Sequence, residues 1–479
     1  MDRLTHTQWR WRYIVWVLLF FPVANQLFAQ TRPGLGRPER IDYWLTDPAR
    51  SILFVQQPSL SFGGLAEQGP VIHVDASQTY QPIDGFGYTL TGGSAMLIHQ
   101  MAAPDRTKLL QELFSTNGKG IGVSYLRVSI GASDLDERVF SYDDLPDGQT
   151  DPTLAKFSLA PDRAHLIPVL KEILAINPTL KILGSPWSPP VWMKTNGNSK
   201  GGSLKLAYYD AYARYFVKYI QGMAKAGIRI DAITIQNEPL HPGNNPSLLM
   251  LPAEQALFIK KSLGPAFKAA KLKTKIILYD HNADRPDYPI TVLNDPEARQ
   301  YVDGSAFHLY AGPISALSEV HTAYPDKNIY FTEQWIGAPG NMKGDLVWHV
   351  RELIIGATRN WSRNVLQWNL AADPNQNPHT PGGCDKCLGA LTISGNTITR
   401  NPAYYNVAVA SKFVRPGSVR IASDEPKNLP NVAFKTPDGY LVLIVLNDSK
   451  SSLRFSIDSQ GKQLSATLAG GAVGTYVWR

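Results

Sequence analysis

From residue 83 to about residue 400, short apolar runs alternate with helical patterns, and this alternation constrains the chain more than any other feature. Eight runs have strand character: IDGFG from Ile83, SYLRVSI from Ser124, KILGS from Lys181, AITIQ from Ala232, KIILY from Lys275, GSAFH from Gly304, NIYFTE from Asn328 and NVLQWNLA from Asn364. Between them lie PDRTKLLQELF (104–114), DRAHLIPVLKEILAI (162–176), YYDAYARYFVKYIQGMAKAG (208–227) and AEQALFIKKSLGPAFKAA (253–270). Asn177 and Gly227 suit helix C-termini. Eight strand–helix units predict an α/β chain closed into a (β/α)8 TIM barrel.

The flanks have a different period. After Asn401 the runs SVRIAS, NVAFKTPDGYLVLIVLNDS, LRFSID and GTYVWR are separated by turn residues, with Pro437, Asp438 and Gly439 marking a hairpin. SILFVQ (51–56) and VIHVD (71–75) precede the barrel as short strands. An appended antiparallel β-sandwich is therefore expected, formed by the C-terminal strands and a short N-terminal segment. The expected division is 1–29 signal peptide, 30–50 linker, 51–80 N-terminal strands, 81–400 barrel and 401–479 sandwich.

Arg10 and Arg12 precede an apolar run, and Ala29 offers a cleavage site before Gln30, the layout of a cleavable export signal. A membrane-spanning reading is weaker, because Pro22, Asn25 and Gln26 interrupt the uncharged stretch. The expectation is a secreted or periplasmic protein with no integral span in the mature chain. A formal charge of +7 over 479 residues speaks to solubility, and no run of five or six like charges points to nucleic acid. The two cysteines, Cys384 and Cys387 in GGCDKCLG, read as a short-loop disulfide or two free thiols. Structural zinc wants four ligands and only His379 is near, so neither metal nor cofactor is expected.

A TIM barrel carries its chemistry at the C-terminal ends of its strands. Polar and aromatic residues at those ends are Arg127, Trp187, Asn237, Glu238, His281, Asn282, His308, Tyr310, Glu333 and Trp368. Glu238 and Glu333 end the fourth and seventh strands. Two carboxyls across one barrel mouth match the needs of glycosidic bond cleavage, in which one protonates the leaving oxygen and the other meets the oxocarbenium-like carbon.

These motifs resemble glycoside hydrolase family 30, the family of lysosomal glucosylceramidase and of β-1,6-glucanases. The carriers are DGFGYTLTGGSA, YLRVSIGASDLD, LGSPWSPPVWMKTNG, TIQNEP, GSAFHLY, FTEQW, QWNLAADPN and YYNVAVASKFVRPGS, running from about Gln81 to Arg479. The resemblance implies that Glu238 is the acid/base and Glu333 the nucleophile of a retaining enzyme. It implies that Asn237 binds the sugar 2-hydroxyl, that Arg127 and Tyr310 orient Glu333, and that Trp187 and Trp368 wall the sugar subsite. The implied function is hydrolysis of β-glucosidic bonds, glucosylceramidase-like, on a glucoside, glucan or glycolipid. An endo-β-1,6-glucanase, or a family 30 xylosidase, fucosidase or galactanase, is the alternative; a non-catalytic carbohydrate-binding protein is the reading from another class. Glucosylceramidases carry an Asp in a GFGGAxTD pattern where this chain has Gly92, a contact that His281, Asn282 or His379 would have to replace.

Each candidate also has a plainer role. Trp187 and Trp368 fit core aromatics, His308 fits a hydrogen-bonded core histidine, and His281 and Asn282 fit a strand end. Asp134 and Asp136 read as loop caps.

Overall fold

In the computed structural model, which describes residues 40–63 and 69–479, eight parallel strands close into a barrel. They are Gly85–Thr89, Tyr125–Ser129, Lys181–Ser185, Ala232–Thr234, Lys275–Asn282, Val302–His308, Asn328–Glu333 and Ser362–Gln367, called barrel strands one to eight below. All eight coincide with the expected runs. The expected export signal and the Pro/Gly run at 32–38 lie outside the described residues.

Side chains alternate across each strand, so every second residue points into the barrel. One interior layer is apolar and consists of Tyr125, Leu183, Ala232, Ile277, Ala306, Tyr330 and Leu366. Alternate residues such as Leu126, Ile182, Ile233, Phe307 and Phe331 point outward into the core shared with the helices. Two residues beyond the apolar layer, the same parity places Arg127, Ser185, Thr234, His308, Thr332 and Trp368. The barrel interior thus turns from apolar to polar in one step toward its C-terminal face.

Strand five departs from simple alternation. Its register shifts between Tyr279 and His281, and both Tyr279 (φ 72°) and Asp280 (φ 71°) have left-handed backbone. The bulge sends Tyr279 outward into the core and brings Asp280 into the polar layer. In the fourth helical segment, a π-turn over Ile259–Leu263 precedes Gly264–Ala269, whose Pro265 cannot donate to a regular helix.

A nine-stranded sheet, mostly antiparallel, packs beside the barrel around its own core of Ile41, Ile72, Leu443, Phe455, Tyr476 and neighbours. Two expected boundaries are corrected. Residues 40–50 are not a linker: Arg40–Asp47 is a strand pairing with both Ile52–Ser61 and Val473–Trp478, because its alternating Ile41 and Leu45 bury in that core. Nor does the barrel domain end at 400, because helix Pro402–Ser411, buried at every position, packs against barrel strand one as well as the sheet. Among the described residues, no helix is long and apolar enough to cross a membrane.

Candidate active site

The polar layer is organised around Arg127, a guanidinium with no solvent exposure. An unpaired buried charge is costly, and here all three nitrogens are engaged. Nη1 donates to Glu333 Oε2 (2.5 Å), Nη2 to Asn237 Oδ1 (2.6 Å) and Asp280 Oδ2 (2.8 Å), and Nε to Ser185 Oγ (3.0 Å). The indoles of Trp187 and Trp368 cover it, with the guanidinium carbon 4.8 and 5.9 Å from their ring centroids.

Asp280 is the second hub. Its Oδ2 also accepts from Thr234 (2.7 Å) and Ser185 (3.2 Å), and its Oδ1 accepts from Thr332 (2.6 Å) and lies 3.1 Å from His308 Nε2. The other nitrogen, His308 Nδ1, lies 3.4 Å from Glu238 Oε1 and 3.7 Å from Glu333 Oε1. Tyr310 donates its hydroxyl to Glu333 Oε1 at 3.0 Å, so both oxygens of Glu333 are held. One carboxylate oxygen from each of Glu238 and Glu333 and one nitrogen of His308 lie within 4.8 Å of one another. That spacing also suits a metal ion, but Arg127 and Tyr310 already occupy both oxygens of Glu333. Glu238 has left-handed backbone (φ 45°), a costly conformation for a residue with a Cβ.

Each charged group is displaced for a nameable reason. Burial alone would raise the Asp280 carboxyl, but Arg127, His308 and Thr234 outweigh it and hold Asp280 well below the usual carboxylate range. Burial also opposes the charge on His308, yet Glu333, Asp280 and Glu238 bring it up to about 9. His281 goes down to about 4, because burial outweighs the attraction of Glu238, 4.0 Å away. Burial pushes Asp134 up to about 7, and the charges of Glu333 and Glu238 add to this.

The two glutamates share His308 and titrate as a pair. Burial leaves Glu333 raised, while His308 leaves Glu238 lowered despite its own burial. Direct bonding favours the opposite order. Arg127 keeps its proton throughout the working range and, with Tyr310, favours the anion on Glu333. The His308 charge beside Glu238 is itself titratable.

The remaining candidates are engaged by other groups. Asn237 spends its Oδ1 on Arg127, leaving its amide hydrogens as donors. Asn282 accepts the backbone N–H of Tyr310 (3.0 Å) and so sets the tyrosine rather than the carboxyls. Trp187 and Trp368 are 1% and 3% exposed, with ring centroids 5.4 Å apart. They back Arg127 and present little open ring face. Among the described residues, the His379 ring contacts Thr380 O (3.0 Å) and neither carboxyl.

Asp280 and Asp134 did not stand out as site residues in the sequence. Asp280 is displaced into the site by the bulge, and Asp134 lies in the loop after strand two. Cys384 and Cys387 form a disulfide, and Cys384 N–H donates to Asp134 Oδ2 (3.3 Å). The Gly92 question also has an answer. A Cβ built there would come 1.6 Å from Asp136 Oδ1, so Asp136 fills the space while its other oxygen caps Ser133.

The profile of the glycosyl hydrolase family 30 TIM-barrel domain matches residues 83–414, and that of the family's β-sandwich domain matches 417–476. An endo-1,6-β-D-glucanase of Aspergillus fumigatus is 34% identical over 425 residues, 83% of this chain and 85% of that protein. The lysosomal acid glucosylceramidase of Mus musculus is 30% identical over 441 residues, 86% of this chain and 84% of that protein. A solved endo-β-1,6-glucanase superimposes with a TM-score of 0.86 at 34% identity, covering 91% of this chain and 99% of that one.

Proposed function

The chain belongs to glycosyl hydrolase family 30, a family of retaining O-glycosyl hydrolases, and from that premise we propose that it cleaves β-1,6-linked glucan within the chain. The observation that carries the chemistry is the carboxyl pair, with oxygens within 4.8 Å and Arg127 and Tyr310 bonded to Glu333. Retaining enzymes hold their carboxyls about 5 to 5.5 Å apart.

Glu238 protonates the glycosidic oxygen as the bond to the anomeric carbon breaks. A Glu333 oxygen forms a bond to that carbon from the opposite face, giving a glycosyl ester. The Glu333 charge is then gone, which lets Glu238, now ionised, take a proton from water as the water attacks the same carbon and displaces Glu333. Two inversions return the original configuration. Asn237 offers its amide hydrogens to the 2-hydroxyl.

Two observations favour glucan over the glucosylceramidase-like reading. The sequence is nearer the glucanases, 34% against 30% identity over similar lengths. The Gly92–Asp136 interlock also departs from the glucosylceramidase pattern in the first-strand loop. Export through the N-terminal 29 residues belongs to the same reading, and the N-terminus of secreted protein tests it.

The deciding experiment is the product profile from β-1,6-glucan and, in parallel, from glucosylceramide in detergent, with Glu333→Ala as control. Oligosaccharides from the glucan, absent in the control, are expected. Glucose released only from the lipid would overturn the substrate assignment.

A further inference from the structure

On the outer wall of the barrel, a cavity of about 600 Å3 opens between helices Leu166–Ile176 and Tyr209–Lys225 and the segment 157–163. Its floor is apolar, from Phe157, Leu159 and Ile167. Its walls carry Arg163, Lys171, Lys218 and Lys225, and no carboxylate lines it. Lys218 donates to the Leu154 carbonyl (2.8 Å). The side chains of Arg163, Lys171 and Lys225 have no ion pair or hydrogen bond among the described residues.

The cations come in columns. On helix Tyr209–Lys225, exposed Arg214, which donates to the Pro152 carbonyl (2.6 Å) just outside the cavity, stands one turn before Lys218, and Lys225 two turns after it, so one face carries three positive charges. Lys171 faces them from the neighbouring helix. A step of four residues advances the column by about 6 Å. Like charges four apart on a helix destabilise it, so the Arg214–Lys218 spacing costs the free protein stability. Helix Leu166–Ile176 is not short of acid: Glu172, next to Lys171, turns away and pairs with Arg106 at 3.0 Å. Cations collected over an apolar floor, with Glu172 spent on Arg106, make a receptor for a chain that carries several negative charges.

We propose that this cavity binds a segment of acidic polysaccharide, whose carboxylate or sulfate groups meet the cations while the C–H faces of the sugar rings lie on the floor. A cavity of this volume falls within the usual range for small ligand sites, about 300 to 1,000 Å3. Single-stranded nucleic acid is a poorer match because it needs open aromatic faces for its bases. The aromatic ring in the lining, Phe157, has the Lys218 ammonium 5.8 Å from its centroid. The site lies on the helical wall rather than at the barrel mouth, so it is separate from hydrolysis of neutral glucan.

The test is affinity electrophoresis of the full chain through gels containing polygalacturonate, dextran sulfate, neutral dextran or single-stranded DNA, for the wild type, K171E/K225E and K171A/K225A. The wild type is expected to be retarded by at least one of the acidic polysaccharides, less so as salt rises, and not by neutral dextran. The double charge reversal is expected to weaken that retention by about tenfold or more, the alanine pair by less, with glucan hydrolysis unchanged in both. Three results would each overturn the assignment: no retention of the wild type, retention unaffected by either pair, or equal retention by DNA that the same substitutions abolish.

Discussion

Replacing Asp280 by Asn removes one buried charge directly and a second through His308, with almost no change of shape, and its consequences can be followed atom by atom. Asp280 Oδ2 accepts from Arg127, Thr234 and Ser185, so the Asn carbonyl is expected to take that side. The amide nitrogen then replaces Oδ1, facing Thr332 Oγ1 and His308 Nε2. His308 Nε2 must now accept, which leaves the ring neutral with its proton on Nδ1. A charge that persists to about pH 9 in the wild type is thereby lost.

That charge lies 3.4 Å from Glu238 and 3.7 Å from Glu333. A unit charge at about 4 Å is worth about 4 kcal/mol at an effective dielectric constant near 20, or about three pKa units at most. Losing the cation raises both carboxyls, and losing the Asp280 charge, which itself raises Glu333, offsets part of this, so both limbs of the pH profile of kcat/KM should move to higher pH, by about one to two units. The profile measured on soluble β-1,6-gluco-oligosaccharides from pH 3 to 10 reads this directly. A D280N enzyme whose limbs stay within half a unit of the wild type would refute the electrostatic chain from Asp280 through His308 to the carboxyl pair.

Three further outcomes follow from the same structure. Glu238→Ala should lose about 10² to 10⁴-fold on glucan but far less on aryl glucosides with good leaving groups, which need no protonation; equal losses on both would remove Glu238 from the acid role. Gly92→Ala forces a Cβ onto the Asp136 carboxylate and should destabilise the protein by about 1 to 3 kcal/mol, seen as a lower Tm; an unchanged Tm would mean that the interlock yields freely. Burial pushes Asp162 up to about 7, so its stabilising contribution is whole below about pH 4 and lost as pH rises through 7. Asp162→Asn keeps an acceptor for Tyr142 and should raise Tm at pH 8 but not at pH 4; a Tm that falls equally at both would show that the ionised carboxylate costs the fold little.

The barrel was legible because its strands obey a period of two between helices with a period near four. All eight were visible, and with them most of the barrel mouth. What escaped depended on departures from period. Simple alternation from Ile277 points Tyr279 inward, and only the bulge brings in Asp280. Asn282 looks like a ligand in the sequence, but its oxygen is spent on the backbone of Tyr310. Trp187 and Trp368 read as sugar platforms because aromatics at a barrel mouth commonly are, yet Arg127 needs their faces. Strand Arg40–Asp47 was hidden by the Pro/Gly run before it, and its partner strand lies at the far end of the chain.

That last pairing sets an order of events during synthesis. Asp42 pairs with Val477 and Trp44 with Thr475, while the final strand also joins Leu441–Leu446 on its other side. Among the described strands, Val473–Trp478 is thus a keystone that arrives last. Until it does, one of the earliest strands and the central hairpin both expose unpaired edges, although every residue of the barrel has already been made. The barrel strands are all made before this one, so the sheet closes after the barrel has been synthesised. Without that strand, the chain would keep a complete barrel mouth beside an open, adhesive sheet edge.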